Sequence, residues 1–151
     1  MSTSSSYVIT SGYFNPLHPG HVECFELSRK FGDTLIVIVN SDKQAELKRG
    51  VPSFQDEKYR EFIVQNLQQV DRTVLAIDQD GSVAKTLETI IQHLREKEPE
   101  CQITFTKGGD RFAREIPEAK ICEKYNVEIQ DGLGAKTHSS SDYALKKSPA
   151  K

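Results

Sequence analysis

The sequence lacks the features that mark membrane-spanning and secreted proteins. Its longest uninterrupted apolar run, residues 35–39, is five residues long, whereas a membrane-spanning helix needs about 20. The first six residues have neither the charged nor the apolar region of a secretory signal peptide. Three cysteines, Cys24, Cys101 and Cys122, lie in no C-x-x-C spacing, which favours reduced thiols over a disulfide framework. We therefore expect a cytoplasmic protein that binds no membrane.

The sequence also lacks an excess of charge of either sign. Its 20 lysines and arginines against 22 aspartates and glutamates give a formal net charge of -2, so no nucleic-acid partner is predicted. With 36% hydrophobic and 28% charged residues, the composition is polar but not that of a disordered chain. The 151 residues predict a single domain over residues 1–151, with flexible ends at 1–6 and 146–151.

Short β-prone segments alternate with segments of helical periodicity along the chain. Residues 34–39 form an apolar, β-branched run without alternation, which is typical of a strand buried on both faces of a parallel sheet. The alternation predicts an α/β fold with a five-stranded parallel sheet and helices on both faces. The predicted strands are 7–11, 34–39, 71–77, 102–106 and 127–129; the predicted helices are 19–31, 53–70, 82–97, 116–126 and 139–147, with a loop at 40–52.

The segment after the first predicted strand carries the clearest functional signal, the H-x-G-H spacing of His18 and His21. In parallel sheets ligands bind beyond the carboxyl ends of the strands. Gly12 permits close backbone approach there, and a helix beginning near Pro19 or Gly20 points free N–H groups at the same place. The result is a donor-rich site that suits phosphate oxygens. The alternatives are a pair of capping histidines or half of a metal site, although no third zinc ligand has suitable spacing.

These segments resemble the cytidylyltransferase-like family of small nucleotidylyltransferases, whose mark is H-x-G-H after the first strand. Residues 12–21 resemble its G-x-F-D-x-x-H-x-G-H motif, 107–110 its K-G-x-D, and 137–141 its I-S-[ST]-[ST] run. The resemblance extends over about residues 8–143 and implies a Rossmann-like fold. Among subgroups, the chain looks nearest to the nucleotidyltransferase domain of ADP-heptose synthases and to glycerol-3-phosphate cytidylyltransferase.

The resemblance implies a role for each matching residue. Catalysis falls to His18, His21 and Lys48, and Asp42 and Arg60 would bind the acceptor substrate. Mg²⁺ would arrive with the nucleoside triphosphate, held mostly by phosphates and water, and relatives of this size resemble homodimers. The residues expected to bind the nucleotide are Gly12, Tyr13, Phe14, Asn15, Gly20, Gly109, Asp110, Thr137, Ser139, Ser140 and Ser141.

Each of these residues outside the H-x-G-H motif also has a purely structural interpretation. Lys48 lies in a basic run that is typical of a solvated surface. An arginine on a helix, such as Arg60, is usually exposed to solvent. The serines at 139–141 also suit a helix cap, and Gly-Gly-Asp at 108–110 a plain turn.

Two positions depart from the family pattern. Asn15 stands where the family has aspartate, which removes a charge near the metal or the loop backbone. Gly134 stands where some members have arginine, leaving Lys136 as the nearest cation. Both departures affect the expected substrate more than the expected reaction.

The residues fit nucleotidyl transfer on chemical grounds as well. A phosphate-monoester nucleophile is already ionised near pH 7, so the protein has to align the reactants and neutralise charge rather than supply a base. The expected acceptor is a sugar phosphate, with ATP or CTP as donor. Alternatives are glycerol 3-phosphate, phosphoethanolamine or phosphocholine with CTP, FMN with ATP, a non-catalytic nucleotide-binding module, or a structural domain.

Overall fold

A computed structural model of the chain describes residues 5–53, 55–108 and 117–133. Within these ranges strands and helices alternate along most of the chain, as predicted. The elements are β1 (Ser6–Gly12), α1 (Pro19–Ser28) with a 3-10 turn (Arg29–Phe31), β2 (Thr34–Val39), α2 (Asp42–Arg49), α3 (Glu57–Gln65), β3 (Arg72–Leu75), α4 (Ala84–Lys97), β4 (Gln102–Gly108), α5 (Pro117–Tyr125) and β5 (Glu128–Leu133).

The five strands form one parallel sheet in the order β3-β2-β1-β4-β5. The chain therefore builds the sheet outward from β1 to β3 and then returns to the other side of β1 with β4. Strand order reverses between β1 and β4, which is where ligands bind in open α/β sheets. The predicted Rossmann-like α/β fold is confirmed.

Helices cover both faces of the sheet, each over its own apolar core. On one face, strand residues such as Ile9 and Phe105 pack against Leu87 and Ile91 of α4 and Cys122 of α5. On the other face, Val8 and Val37 pack with Phe25 of α1 and Val64 of α3. Residues 35–39 are each at most 2% exposed, so the prediction that this strand is buried on both faces is confirmed.

The predicted loop at 40–52 is wrong, because residues 42–49 form α2. Ser41 caps this helix by accepting a hydrogen bond from the Gln44 backbone N–H, and the Gln44 side chain accepts one from the Ser41 backbone. Gly50 ends the helix in the left-handed region, at φ 76°. The capping-box spacing and the glycine that ends the helix are sequence signals of a short helix. The charged composition of the segment suggested a loop instead.

Several predicted boundaries also shift. The helix predicted from Ser53 begins at Glu57, with Asp56 as its N-cap, and ends at Gln65. Phe62, in the middle of this helix, is 61% exposed. β1 begins at Ser6, inside the terminus predicted to be flexible. Among the residues that the structure describes, no helix is long and apolar enough to span a membrane.

Candidate active site

The chain turns sharply after β1 because the ring of Phe14 lies over Gly12. A Cβ atom at Gly12 would lie 2.7 Å from Phe14 Cζ, closer than any side chain tolerates. Phe14 adopts a φ of 53° and is 3% exposed. Its ring meets His21 edge-on, with centroids 4.9 Å apart, and Phe25 at 5.5 Å. Gly12 and Phe14, both predicted to bind nucleotide, thus support the histidine pair from beneath.

The two histidines form the N-terminal capping box of α1. His18 is the N-cap, and its Nδ1 accepts a hydrogen bond from the Gly20 backbone N–H at 3.1 Å. His21, three residues on, returns the contact: its Nδ1 accepts from the His18 backbone N–H at 3.1 Å. The rings stack with centroids 3.8 Å apart. The alternative of a capping pair is therefore confirmed, and both caps are made by Nδ1 atoms.

This arrangement fixes the protonation of the pair. An Nδ1 atom that accepts a hydrogen bond carries no proton, so each neutral ring holds its proton on Nε2. Burial, and secondarily the neighbouring His18, lower the pKa of His21 from 6.5 to about 3. His21 is consequently a neutral Nε2–H donor at pH 7. His18 is buried more deeply than a helix cap needs: it is 7% exposed, and its Nε2 is buried.

Asn15 connects the turn after β1 to the segment before α3. It is 4% exposed, and its Oδ1 accepts a hydrogen bond from the Gln55 backbone N–H at 3.0 Å. A carboxylate would accept the same hydrogen bond. Asn15 therefore makes a contact that the family's aspartate could make equally well at this position.

Arg60 lies inside the protein rather than on the surface of α3. Its side chain has no exposed area, and its Nη2 donates to Asp42 Oδ1 at 2.8 Å. The other donors bind backbone carbonyls: Nη1 binds Tyr13 O and Asn40 O at 2.7 and 2.8 Å, and Nε binds Gln55 O at 2.8 Å. The expected exposed arginine is wrong. In this conformation the guanidinium binds protein groups, so the geometry gives no support to its predicted contact with substrate.

Lys48 reaches the turn after β1 from the last turn of α2. Its Nζ lies 4.6 Å from the centroid of the Tyr13 ring, although the helix surface around it is exposed. Burial raises the pKa of Tyr13, with Arg60 opposing the shift. Asp42, at the start of the same helix, is 42% exposed at its side chain and bound to Arg60. Thus the structure brings Lys48, Tyr13 and Asp42 to one edge of the sheet.

Gln44 supports the site from inside the protein, although its sequence context was not predicted to do so. Its buried amide accepts hydrogen bonds from Asn40 Nδ2 and the Ser41 N–H, and donates to Asp80 O and Ser82 O, both at 2.7 Å. It therefore joins the segments that follow β2 and β3. The signal that could have found it is the S-x-x-Q spacing of the capping box.

Part of the predicted site lies outside the described residues. This applies to Gly109, Asp110, Thr137, Ser139, Ser140 and Ser141, and to the departure at Gly134 and Lys136. Gly20 is described, and its N–H is engaged by His18. Within the described ranges no group of three or more His, Cys, Asp or Glu could hold a metal ion.

The parallel α/β sheet, with a donor-rich turn at the reversal of strand order, defines the class of Rossmann-like nucleotidyltransferases. A family model described as cytidylyltransferase-like matches residues 9–128. The chain belongs to the cytidylyltransferase-like family, and the resemblance seen in the sequence is confirmed.

Curated relatives include nucleotidyltransferases of two kinds. An FAD synthase of Aciduliprofundum boonei is 40% identical over 83 residues, 55% of this chain and 54% of the relative. Bifunctional protein HldE of Actinobacillus succinogenes is 36% identical over 114 residues, 75% of this chain and 21% of the relative. The match thus spans about half the length of the FAD synthase and a smaller share of HldE.

Solved structures share the fold. A lipopolysaccharide core biosynthesis protein from Thermoplasma volcanium aligns with a TM-score of 0.63 and 29% identity, covering 87% of this chain and 98% of that one. A putative nicotinate-nucleotide adenylyltransferase from Vibrio parahaemolyticus aligns with a TM-score of 0.56 at 17% identity, over 93% of this chain and 79% of its own. The second likeness, at that identity, concerns the fold alone.

Proposed function

We propose that the protein is a nucleotidylyltransferase that moves a nucleoside monophosphate from ATP or CTP to a phosphorylated small molecule, releasing pyrophosphate. The observation that carries this proposal is the stacked histidine pair at the N-terminus of α1, at the edge where strand order reverses. A neutral Nε2–H donor at His21 and the positive end of the α1 dipole both favour phosphate oxygens. The expected free N–H groups of this helix are wrong, because Pro19 has none, Gly20 binds His18 Nδ1, and His21 and Val22 bind the His18 carbonyl. Family membership and the named relatives support the same reaction class.

In the proposed reaction an oxygen of the acceptor phosphate attacks the α-phosphorus of the triphosphate. The new P–O bond forms as the bond between the α-phosphorus and its bridge to the β-phosphate breaks, and pyrophosphate departs with that electron pair. His21 donates to an α-phosphate oxygen as charge develops there, His18 holds the His21 ring in place through the cap and the stacked contact, and Lys48 neutralises the departing phosphates. Mg²⁺ would enter with the triphosphate, where it shields phosphate charge.

The proposed acceptor is a sugar phosphate, with FMN as the second candidate. The first is supported by the match to HldE, which extends over 75% of this chain. The second is supported by two FAD synthases, at 40% and 37% identity over shorter segments. Both acceptors are phosphate monoesters, so the described site serves either one with the same chemistry.

The proposed assembly is a cytoplasmic homodimer. Its support is an apolar surface on α3, where Tyr59 is 54% and Phe62 61% exposed, beside the edge strand β3. Light scattering at micromolar concentration should give twice the chain mass, and Phe62→Glu should give the monomer. A monomeric wild-type protein would reject the proposed dimer and leave the proposed reaction unaffected.

The experiment for the reaction measures pyrophosphate release with Mg²⁺, crossing ATP, CTP, GTP and UTP with separate acceptor pools. The pools contain hexose and heptose phosphates, glycerol 3-phosphate, phosphoethanolamine with phosphocholine, and FMN. We expect release with one base and one pool. No pyrophosphate release in any combination, with triphosphate binding still visible as a thermal shift, would favour the non-catalytic module. Silence without binding would reject the nucleotide site altogether.

A further inference from the structure

The turn after β1 and the end of α2 meet through a cation over an aromatic ring. Lys48 Nζ lies 4.6 Å from the Tyr13 ring centroid, inside the range of about 6 Å over which ammonium groups are attracted to aromatic faces. Tyr13 is partly buried, whereas the last turn of α2 around Lys48 is exposed. The contact therefore joins the exposed last turn of α2 to the turn that follows β1.

Both partners are supported by the same buried side chain. Arg60 Nη1 donates to the carbonyl of Tyr13 at 2.7 Å, and its Nη2 binds Asp42 Oδ1 at 2.8 Å, in the first turn of the helix that carries Lys48. Because this guanidinium is enclosed, it fixes the backbone beneath the ring and the start of α2 together. The other end of α2 is set by Gly50, two residues after Lys48.

We propose that Tyr13 is a positioning residue that holds the Lys48 ammonium over the phosphate site and acts on the reaction through Lys48 alone. A lysine loses much rotamer freedom when it binds a phosphate, and the ring restricts that freedom before the nucleotide arrives. An ammonium has three N–H donors, so one side can face the ring while others bind phosphate oxygens. This inference rests on the proposed function of Lys48.

The kinetic test is a double-mutant cycle with a conservative control. Tyr13→Leu should lower kcat/KM for the triphosphate about two- to five-fold, the range of a partly exposed cation–π contact. Tyr13→Phe, which keeps the ring, should retain most of what leucine loses. Measured as the Kd for a non-hydrolysable triphosphate in all four proteins, Tyr13→Leu should weaken binding about two- to five-fold with Lys48 present and less than two-fold in the Lys48→Met background.

Two kinetic results would overturn the proposal. One is an equal loss from Tyr13→Leu whether or not Lys48 is present, since a residue that acts only as part of the fold would behave in that way. The other is a Tyr13→Phe variant as weak as Tyr13→Leu, which would assign the effect to the hydroxyl. Thermal unfolding of each variant separates lost stability from lost positioning.

A spectroscopic test needs no turnover. With ¹³C-labelled lysine, the ring current of Tyr13 should shift the Lys48 ε-methylene proton resonance upfield in the wild type and in Tyr13→Phe. The shift should vanish in Tyr13→Leu. The resonance that disappears in Lys48→Met is assigned to Lys48. Absence of the shift in the wild type overturns the contact. If the shift is present but the wild type binds no triphosphate, the proposed function fails instead.

Discussion

At the scale of single residues, the histidine pair combines a structural and a chemical task within each ring. The Nδ1 atoms cap α1, and the Nε2 atoms carry the protons. A capping residue and a catalytic residue are usually treated as competing interpretations. In the proposed mechanism the His21 imidazole performs both tasks, because capping on Nδ1 selects the tautomer that leaves a donor on Nε2.

Separating the two tasks gives the first prediction. In His21→Asn, the amide oxygen takes the place of Nδ1 and still accepts from the His18 N–H, while the Nε2 donor is lost. We expect kcat to fall about 10²–10³-fold, as when one oxyanion donor is removed, with stability nearly kept. His21→Ala should lose a further ~1 kcal/mol of unfolding free energy through the cap. Steady-state kinetics and urea unfolding check both; wild-type kcat in His21→Asn would contradict the assigned donor.

The pKa of His21 predicts how stability depends on pH. Because that pKa is lowered from 6.5 in the unfolded chain to about 3 in the fold, the unfolded state binds the extra proton between these values. His21 therefore contributes full stability above pH 6.5, and its contribution falls as pH drops toward 3, with a slope of up to about 1.4 kcal/mol per unit.

The measurement is urea unfolding at pH 7.5 and 5.0 for the wild type and His21→Asn. The other titratable groups are the same in both proteins. The difference between their changes in the free energy of unfolding therefore gives the contribution of His21. The wild type should lose more stability than the variant on going to pH 5.0. Equal losses would show that His21 is not a buried neutral imidazole.

At the scale of elements, two glycines terminate β1 and α2 for different physical reasons. A Cβ at Gly12 would collide with the Phe14 ring, whereas one at Gly50 would meet nothing within 4 Å and suffer only from the φ of 76°. Gly50→Ala should therefore cost ~1 kcal/mol and leave kcat unchanged. Gly12→Ala should cost more and also lower kcat, because displacing Phe14 moves His21. Denaturant unfolding and kinetics on both variants test this pair, and equal effects would contradict it.

The junction of β1, β2, α2 and α3 depends on Arg60. Arg60→Met keeps an apolar stem but leaves the carbonyls of Tyr13 and Asn40 without a donor, while the Gln55 carbonyl keeps only the Ser53 hydroxyl. We expect a loss of about 3 kcal/mol in the free energy of unfolding, the scale of breaking a buried hydrogen-bonded charge. Chemical denaturation measures it, and the exposed Lys58→Met on the same helix is the control. A loss below ~1 kcal/mol in Arg60→Met would mean that the junction does not need the guanidinium.

The sequence predicted well those elements that depend on local pattern. The β-branched run of β2 and the helical spacing of Leu87, Ile91 and Leu94 in α4 both required no knowledge of distant residues. α2 was missed because its polar composition hides a helix that is specified by its caps. The burial of Arg60 was not predictable, since its partners lie 5 to 47 positions away in the chain and meet only when the strand ends are aligned.

At the scale of the whole molecule, the sheet order brings the candidate site together. Placing β4 beside β1 sets the reversal of strand order directly at the H-x-G-H turn, and α2 delivers Lys48 from the neighbouring strand end. Motif spacing therefore predicted that the H-x-G-H turn follows β1 and opens α1, whereas the chemistry of the site stays a prediction. It could not predict which side chains support the site from beneath, as Phe14 and Arg60 do.

The central claim is that His21, held by its stacked contact with His18, presents a neutral Nε2–H donor to a triphosphate. ¹⁵N NMR of the imidazole rings at pH 7, with and without a non-hydrolysable ATP or CTP analogue and Mg²⁺, tests it most directly. The account predicts Nε2–H tautomers for both rings without ligand, and a shift of the Nε2 resonances when the analogue binds. A protonated or Nδ1–H ring at His21, or bound analogue with unshifted Nε2 resonances, would contradict it.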